Sequence, residues 1–336
     1  MNKYLKFLYV VLLLSASAFT LQAQTIKPVP QTVTASIRGM SVVNDRVAWI
    51  SGSKGHIAIT TDGGENWTWQ QVKGYEKADF RDVQAFSEKE AVIIASGTPA
   101  LVLKTTDGGL NWKLVFQNND AAYFLDAMDF ADSKHGYIMG DPINNKFLML
   151  ETKDGGDSWA QMTNSPEAIP GEAAFAASGT CMRVQQGHIV IATGGTVSRY
   201  IYSPVKNIKW QYVNTPLSQN KSSKGAFGLT KYKNKVIVVG GDYEVLTKPD
   251  SVAAVLVGQN KFNLSAKMPG GFQSCVEHIK GDTFVATGTS GTNVTNNGGK
   301  TWTQIDSTSF NVCLRSASGK LILLAGDKGK IGILKF

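Results

Sequence analysis

Thr60-Thr61-Asp62-Gly63-Gly64-Glu65-Asn66-Trp67 recurs as Thr105 to Trp112, as Thr152 to Trp159 and, with Asn297 in place of the aspartate, as Thr295 to Trp302. The shared pattern is S/T-x-D/N-x-G-x-x-W. The first three tryptophans are 45 and 47 residues apart, and the gap of 143 to Trp302 is about three such periods. Internal repetition at this period is the signature of a repeat architecture. Ser203 to Trp210 reads as a decayed copy in the long gap. Each motif is flanked by short apolar runs such as Ala91 to Gly97, Leu101 to Thr106 and Lys113 to Phe116. Runs of that length, bounded by glycine and polar clusters, read as strands. The motif itself suits a hairpin turn: Thr and Asp oxygens accept backbone N–H groups, glycine supplies positive φ, and tryptophan closes over neighbouring strands.

A second marker sets the number of units. Glycines at 52, 97, 140, 194, 240, 288 and 326 follow the second strand of each unit, giving seven units of about 45 residues. This predicts an all-β, seven-bladed propeller of four-stranded antiparallel blades. The seventh unit ends at Phe336 without a motif or a following strand, so Thr25 to Val33 is expected to supply its outer strand and close the ring.

The chain begins with Lys3 and Lys6, an apolar run from Phe7 to Leu14 and a small-residue stretch, the pattern of a secretory signal peptide. The expected organisation is a leader over 1–23 and a single propeller over 24–336. Cleavage is expected after Ala23, with Ala16-Ser17-Ala18 a competing site, and no cysteine near either cut supports a lipid anchor. No later segment approaches the roughly 20 apolar residues of a transmembrane helix, so a soluble periplasmic or secreted monomer is expected. The formal charge of +8 includes Lys3 and Lys6 and forms no dense basic stripe, so no nucleic-acid partner is expected. Its densest basic stretch, Lys221 to Lys235, reads as a solvated loop and strand edge. Cys181, Cys275 and Cys313 are too few and too scattered for a disulfide framework or a zinc site, and read as buried thiols.

Candidate binding residues follow from blade geometry. Motif turns occupy one face of a propeller, so a site belongs on the other, around the channel mouth. Counting back 14 residues from the glycine marker places Arg38, Asp126, Thr180 and Ser274 at one level, with Arg81 and Asp82 nearby after a two-residue insertion. Neighbouring loops add Tyr123, Asp141, Glu172, Lys224, Asp242 and Tyr243. Arg38 and Arg81 are the expected anion contacts, since guanidinium suits carboxylate or phosphate. Asp126, Asp141 and Glu172 are the candidate acid and base for hydrolysis, which needs two carboxylates about 5–10 Å apart. Three residues after the Arg38 level, inter-blade ion pairs are expected between Asp129 and Arg183 and between Glu277 and Arg315.

With these motifs the chain resembles the Asp-box (BNR) repeat proteins, and most of all the propellers related to the photosystem II stability and assembly factor, over essentially the whole length beyond the leader. The resemblance implies a non-catalytic binding or assembly factor that recognises a protein, a polar or anionic small ligand or a glycan. The same box occurs in sialidases, xyloglucan-active glycosidases and sortilin-like receptors, so a glycoside hydrolase is the alternative. Sialidase chemistry would require a clamp of three arginines. Of the six here, Arg38 and Arg81 could serve, Arg183 and Arg315 lie deeper, and Arg46 and Arg199 look peripheral. Exported relatives are often labelled oxidoreductases, but no G-x-G-x-x-G in a βαβ context, no C-x-x-C-H and no His/Cys cluster supports that here, and no cofactor or metal is expected.

Overall fold

Strand Ala91–Ser96 shows how this sequence builds a ring. Ala91, Ile93 and Ala95 pack towards Trp49 and Ile57, while Val92 and Ile94 pack towards Leu125, Ile138 and Leu148. A strand has a side-chain period of two, so a run that is apolar at every position must be covered on both sides. Each blade is therefore sandwiched between two others, and the layered core runs around the circle.

The computed structural model describes residues 24–336, and the expected leader over 1–23 lies outside the described residues. It is a seven-bladed all-β propeller. The innermost strands of blades one to seven are Ile37–Val42, Asp79–Ala85, Leu125–Phe130, Met182–Gln185, Lys221–Tyr232, Cys275–Lys280 and Val312–Arg315. Three further antiparallel strands complete each blade outward. The only helical element among the described residues is the 3-10 turn Asp327–Gly329. The ring closes as the sequence predicts: Thr25–Val29 pairs antiparallel with Ile331–Lys335, the outer edge of blade seven. The pairing stops at Val29, short of Val33.

The box turns are built alike. Thr60 Oγ1 donates to Asp62 at 2.9 Å and accepts the Gly64 amide at 3.0 Å, Asp62 accepts the Asn66 amide at 3.0 Å, and Trp67 Nε1 donates to the Gly64 carbonyl at 3.0 Å. The turns at Thr105, Thr152 and Thr295 repeat the threonine and Asp/Asn bonds. Gly64 has φ +86, and a Cβ there would lie 2.7 Å from Leu323 of blade seven. The second glycine of the box thus serves both turn and packing. Trp302 departs from the pattern by donating to Ser265 Oγ at 3.2 Å, outside its own turn.

Blade five carries an addition that the repeat does not announce. Glu172–Ala173 pairs with Gly194–Gly195, which in turn pairs with Lys221–Tyr232, so that sheet has six strands. From there residues 173–179 pass as an arch across the ring before blade four begins.

Candidate functional site

The inner strands of blades one, two, three and five each slip register by one residue where they enter from the face opposite the boxes, leaving Arg38, Arg81, Asp126 and Phe227 unpaired in the ladder. A bulge of this kind re-aims the extra side chain. All four line one cavity of about 580 Å3 at the mouth of the ring. Gly39 and Gly228 follow two of the bulges because the next blade leaves no room: a Cβ on Gly39 would meet Asp82 Cα at 2.7 Å, and one on Gly228 the Ser274 carbonyl oxygen at 2.7 Å.

One half of the mouth is charged. Arg81 Nε donates to Asp79 at 2.8 Å, its Nη1 reaches the Ala176 carbonyl at 3.3 Å, and its guanidinium lies 5.8 Å from the Phe124 ring centre. Arg38 makes no ion pair among the described residues. Burial and the neighbouring Arg81 charge pull its pKa down. Asp327 and Asp79 lie near enough to oppose that fall in part, but neither forms an ion pair with Arg38, and two like charges side by side favour an incoming anion. Asp327 bonds to Ser36 and accepts Asn311 Nδ2 at 3.1 Å; against the upward push of burial, these bonds hold its carboxyl below the usual range.

Asp126 is 1% exposed and neither carboxylate oxygen has a hydrogen-bond partner. Burial first, and then the Asp141 charge, push its pKa well up; Arg81 and the nearby Ala176 amide oppose this, the amide without completing a bond. Asp141 is also raised by burial, although it accepts the Ala174 amide at 3.2 Å.

The other half is aromatic. Phe175 on the arch stacks on Phe227 with ring centres 3.8 Å apart and planes at 8°, and Phe272 meets Phe227 edge-on at 4.7 Å. Tyr243 caps both rings of the stack edge-on. Beyond it Tyr243, Val245 and Leu246 are 46%, 46% and 38% exposed, an apolar rim leading into the cavity. Counting back 14 from Gly240 selects Ala226 and misses Phe227. Its signal is the pair Phe227-Gly228, which parallels Arg38-Gly39. Phe175 carries no repeat signal, because the arch is an insertion.

Other candidates fall elsewhere. Asp82 points down the channel, where it accepts the amides of Val83 and Met128 at 2.8 Å each and lines a smaller inner cavity, while burial holds its pKa well up. Thr180 lines the same inner cavity. Glu172 is buried beside the mouth and fully engaged: Arg199 Nε and Nη2 reach it at 2.8 and 2.5 Å, Thr193 Oγ1 at 2.5 Å and the Ile169 amide at 2.9 Å. Arg199 is therefore an internal anchor of the arch, not peripheral. Tyr123 stacks on Phe116 and donates to Gln161 at 3.1 Å, outside the cavity wall. Lys224 and Asp242 sit opposite each other in the blade-five ladder, also off the wall.

Of the two expected channel pairs, Glu277 meets Arg315 at 3.9 Å. Asp129 does not pair with Arg183; it accepts the Val184 and Phe130 amides at 2.7 and 2.8 Å. Arg183 instead reaches past blade five to Glu277, at 2.7 Å. Backbone amides at bonding distance satisfy Asp129 without a second buried charge.

Residues 20–121 match the family model described as photosynthesis system II assembly factor YCF48. No curated protein matches the chain. A solved structure described as YCF48 bound to D1 peptide is 16% identical, with a TM-score of 0.64 over 93% of this chain and 95% of that one. YCF48 from Cyanidioschyzon merolae is 15% identical, with a TM-score of 0.64 over 93% of this chain and 98% of that one. At these identities the likeness establishes a shared propeller fold, and the family match covers the region of the first two blades.

Proposed function

We propose that this chain is an exported, non-catalytic propeller that binds a partner polypeptide on its mouth face. The observation that carries the reading is the two-sided cavity: Arg38, engaged in no ion pair among the described residues, stands beside Arg81, and the opposite wall of Phe175, Phe227 and Phe272 runs out onto the exposed rim of Tyr243, Val245 and Leu246. Exposed apolar surface rimmed by polar groups marks interaction sites. Such a mouth suits a segment that offers a carboxylate to the guanidiniums and an apolar side chain to the rings. A propeller of the same fold has been solved with a bound D1 peptide, which supports a peptide as the class of ligand. Export rests on the leader pattern of residues 1–23.

The glycosidase alternative has less support. Hydrolysis needs two carboxylates that can both reach one bond, yet Asp82 and Glu172 are held by internal hydrogen bonds and the Asp126 oxygens are sealed from solvent, which leaves Asp141 without a second carboxylate among these candidates. Affinity capture from a cell-envelope extract tests the binding reading. A partner retained by the wild type should be lost with R38A/R81A and with Y243S/L246S, and kept by the box variant T105A. Equal retention by all four proteins would overturn the assignment of the mouth.

A further inference from the structure

Two of the three thiols are in contact across a blade boundary. Cys275 starts the inner strand of blade six and Cys313 lies in the inner strand of blade seven, 38 residues on, with their sulfurs 3.7 Å apart. The Cys275 sulfur lies over the Cys313 backbone, 3.4 Å from its amide nitrogen and 3.2 Å from its carbonyl oxygen. The Cys313 sulfur is turned towards the Val285 carbonyl at 3.8 Å. A disulfide requires sulfurs about 2.05 Å apart. Closure needs the two sulfurs to approach by about 1.7 Å more.

We propose that Cys275 and Cys313 are an oxidation site that closes into an inter-blade disulfide, a covalent clasp beside the blade where the two chain ends meet. Burial raises the Cys275 thiol, but the S–H and N–H of Cys313 and the charge of Arg183 outweigh it, leaving Cys275 below the ordinary thiol range. Cys313 is well above it, first because its proton is held by Cys275. Either cysteine attacks as its thiolate; from Cys275 the exchange has two steps. Its thiolate displaces one thiolate from a small disulfide and forms a mixed disulfide. Cys313, giving its proton to that leaving thiolate, then attacks the Cys275 sulfur and expels the second thiolate, which takes the proton that Cys275 released at the start. Two electrons pass to the small disulfide, which leaves as two thiols. Both sulfurs are fully buried in the closed ring, so the exchange belongs to a stage before blades six and seven pack against each other. Cys181, in the connection entering blade four, is a free, buried thiol in a different core cluster and is the internal control.

The inference does not depend on what the mouth binds. The full chain is refolded in oxidised or in reduced glutathione, then denatured and alkylated. The oxidised sample should carry one alkylated thiol, at Cys181, with a mapped Cys275–Cys313 link, and should melt several degrees above the reduced one. C181S should show the same rise and C313S none. Three alkylated thiols after oxidation, or links that involve Cys181 as often as the pair, would overturn the proposal.

Discussion

Asp154, in a box turn, accepts the Ser158 hydroxyl at 2.5 Å, the Ser158 amide at 3.0 Å and the Thr152 hydroxyl at 2.7 Å, whereas Asp126, at the mouth, has no partner for either oxygen. The Ser158 hydroxyl, ahead of the other bonds, brings Asp154 down to about 2; burial sends Asp126 the other way. Asp62 and Asp107 follow Asp154, each held low first by bonds from the asparagine four residues on. Asp82, Asp129 and Asp141 follow Asp126, raised by burial. One face repeats a satisfied turn, while the mouth and channel gather buried or half-buried acids that occur once, and of these Asp126 alone has no partner for either oxygen. Local rules obeyed everywhere mark scaffold, and their violation at one place marks a site.

The largest predicted effect tests where that division fails, because Glu172 lies beside the mouth yet is bonded like scaffold. Glu172→Ala strands Arg199 in a buried setting and should cost about 3–5 kcal/mol in chemical denaturation. A loss below about 1 kcal/mol would mean that the arch is not held by this pair. Next, Thr60→Ala removes the hydroxyl that organises one box and should cost about 1–3 kcal/mol with partner capture unchanged.

The two faces should also separate by pH. A raised folded-state pKa means that stability from the protonated group is present below the unfolded value of about 3.9 and is lost as pH rises through the folded value. Asp126→Asn should therefore match the wild type near pH 3 and exceed it at pH 8, by on the order of 1 kcal/mol. Asp154 contributes in the opposite sense: its stabilisation is present above about 3.9 and fades as pH falls towards 2. Asp154→Asn should lose stability near neutrality and none at the acid end, and melting curves across pH distinguish the two. Smallest of all, Arg38→Ala should change stability by no more than about 0.5 kcal/mol while weakening partner capture. A large loss of stability with capture intact would make Arg38 structural.

How far the sequence could be read follows the same division. The box spacing and the glycine markers led directly to seven blades, and the missing outer strand of the last unit to Thr25 to Val33 as the closing segment, of which Thr25–Val29 pairs, because repetition reflects blade geometry. The level of Arg38, Arg81 and Asp126 was also legible, since it is a count along a repeating unit. The bulges that turn those residues into the mouth were not, because register slips depend on the facing strand. Nor was the aromatic wall: Phe175 rides on an insertion with no counterpart in other blades, and Phe227 is one residue off the count. Long-range pairings such as Arg183 with Glu277 and Arg199 with Glu172 depend on which side chains reach across the ring, which spacing along the chain does not record.

Two exposed leucines on opposite faces allow the central claim to be tested in one measurement. Leu246 lies at the mouth rim and Leu110 in a box turn, 38% and 76% exposed. A photo-crosslinking amino acid placed at each position in turn, activated in intact cells, reports which face meets the partner. The account predicts a discrete protein adduct from position 246 and none from position 110. The same adduct from position 110, with none from 246, would contradict it.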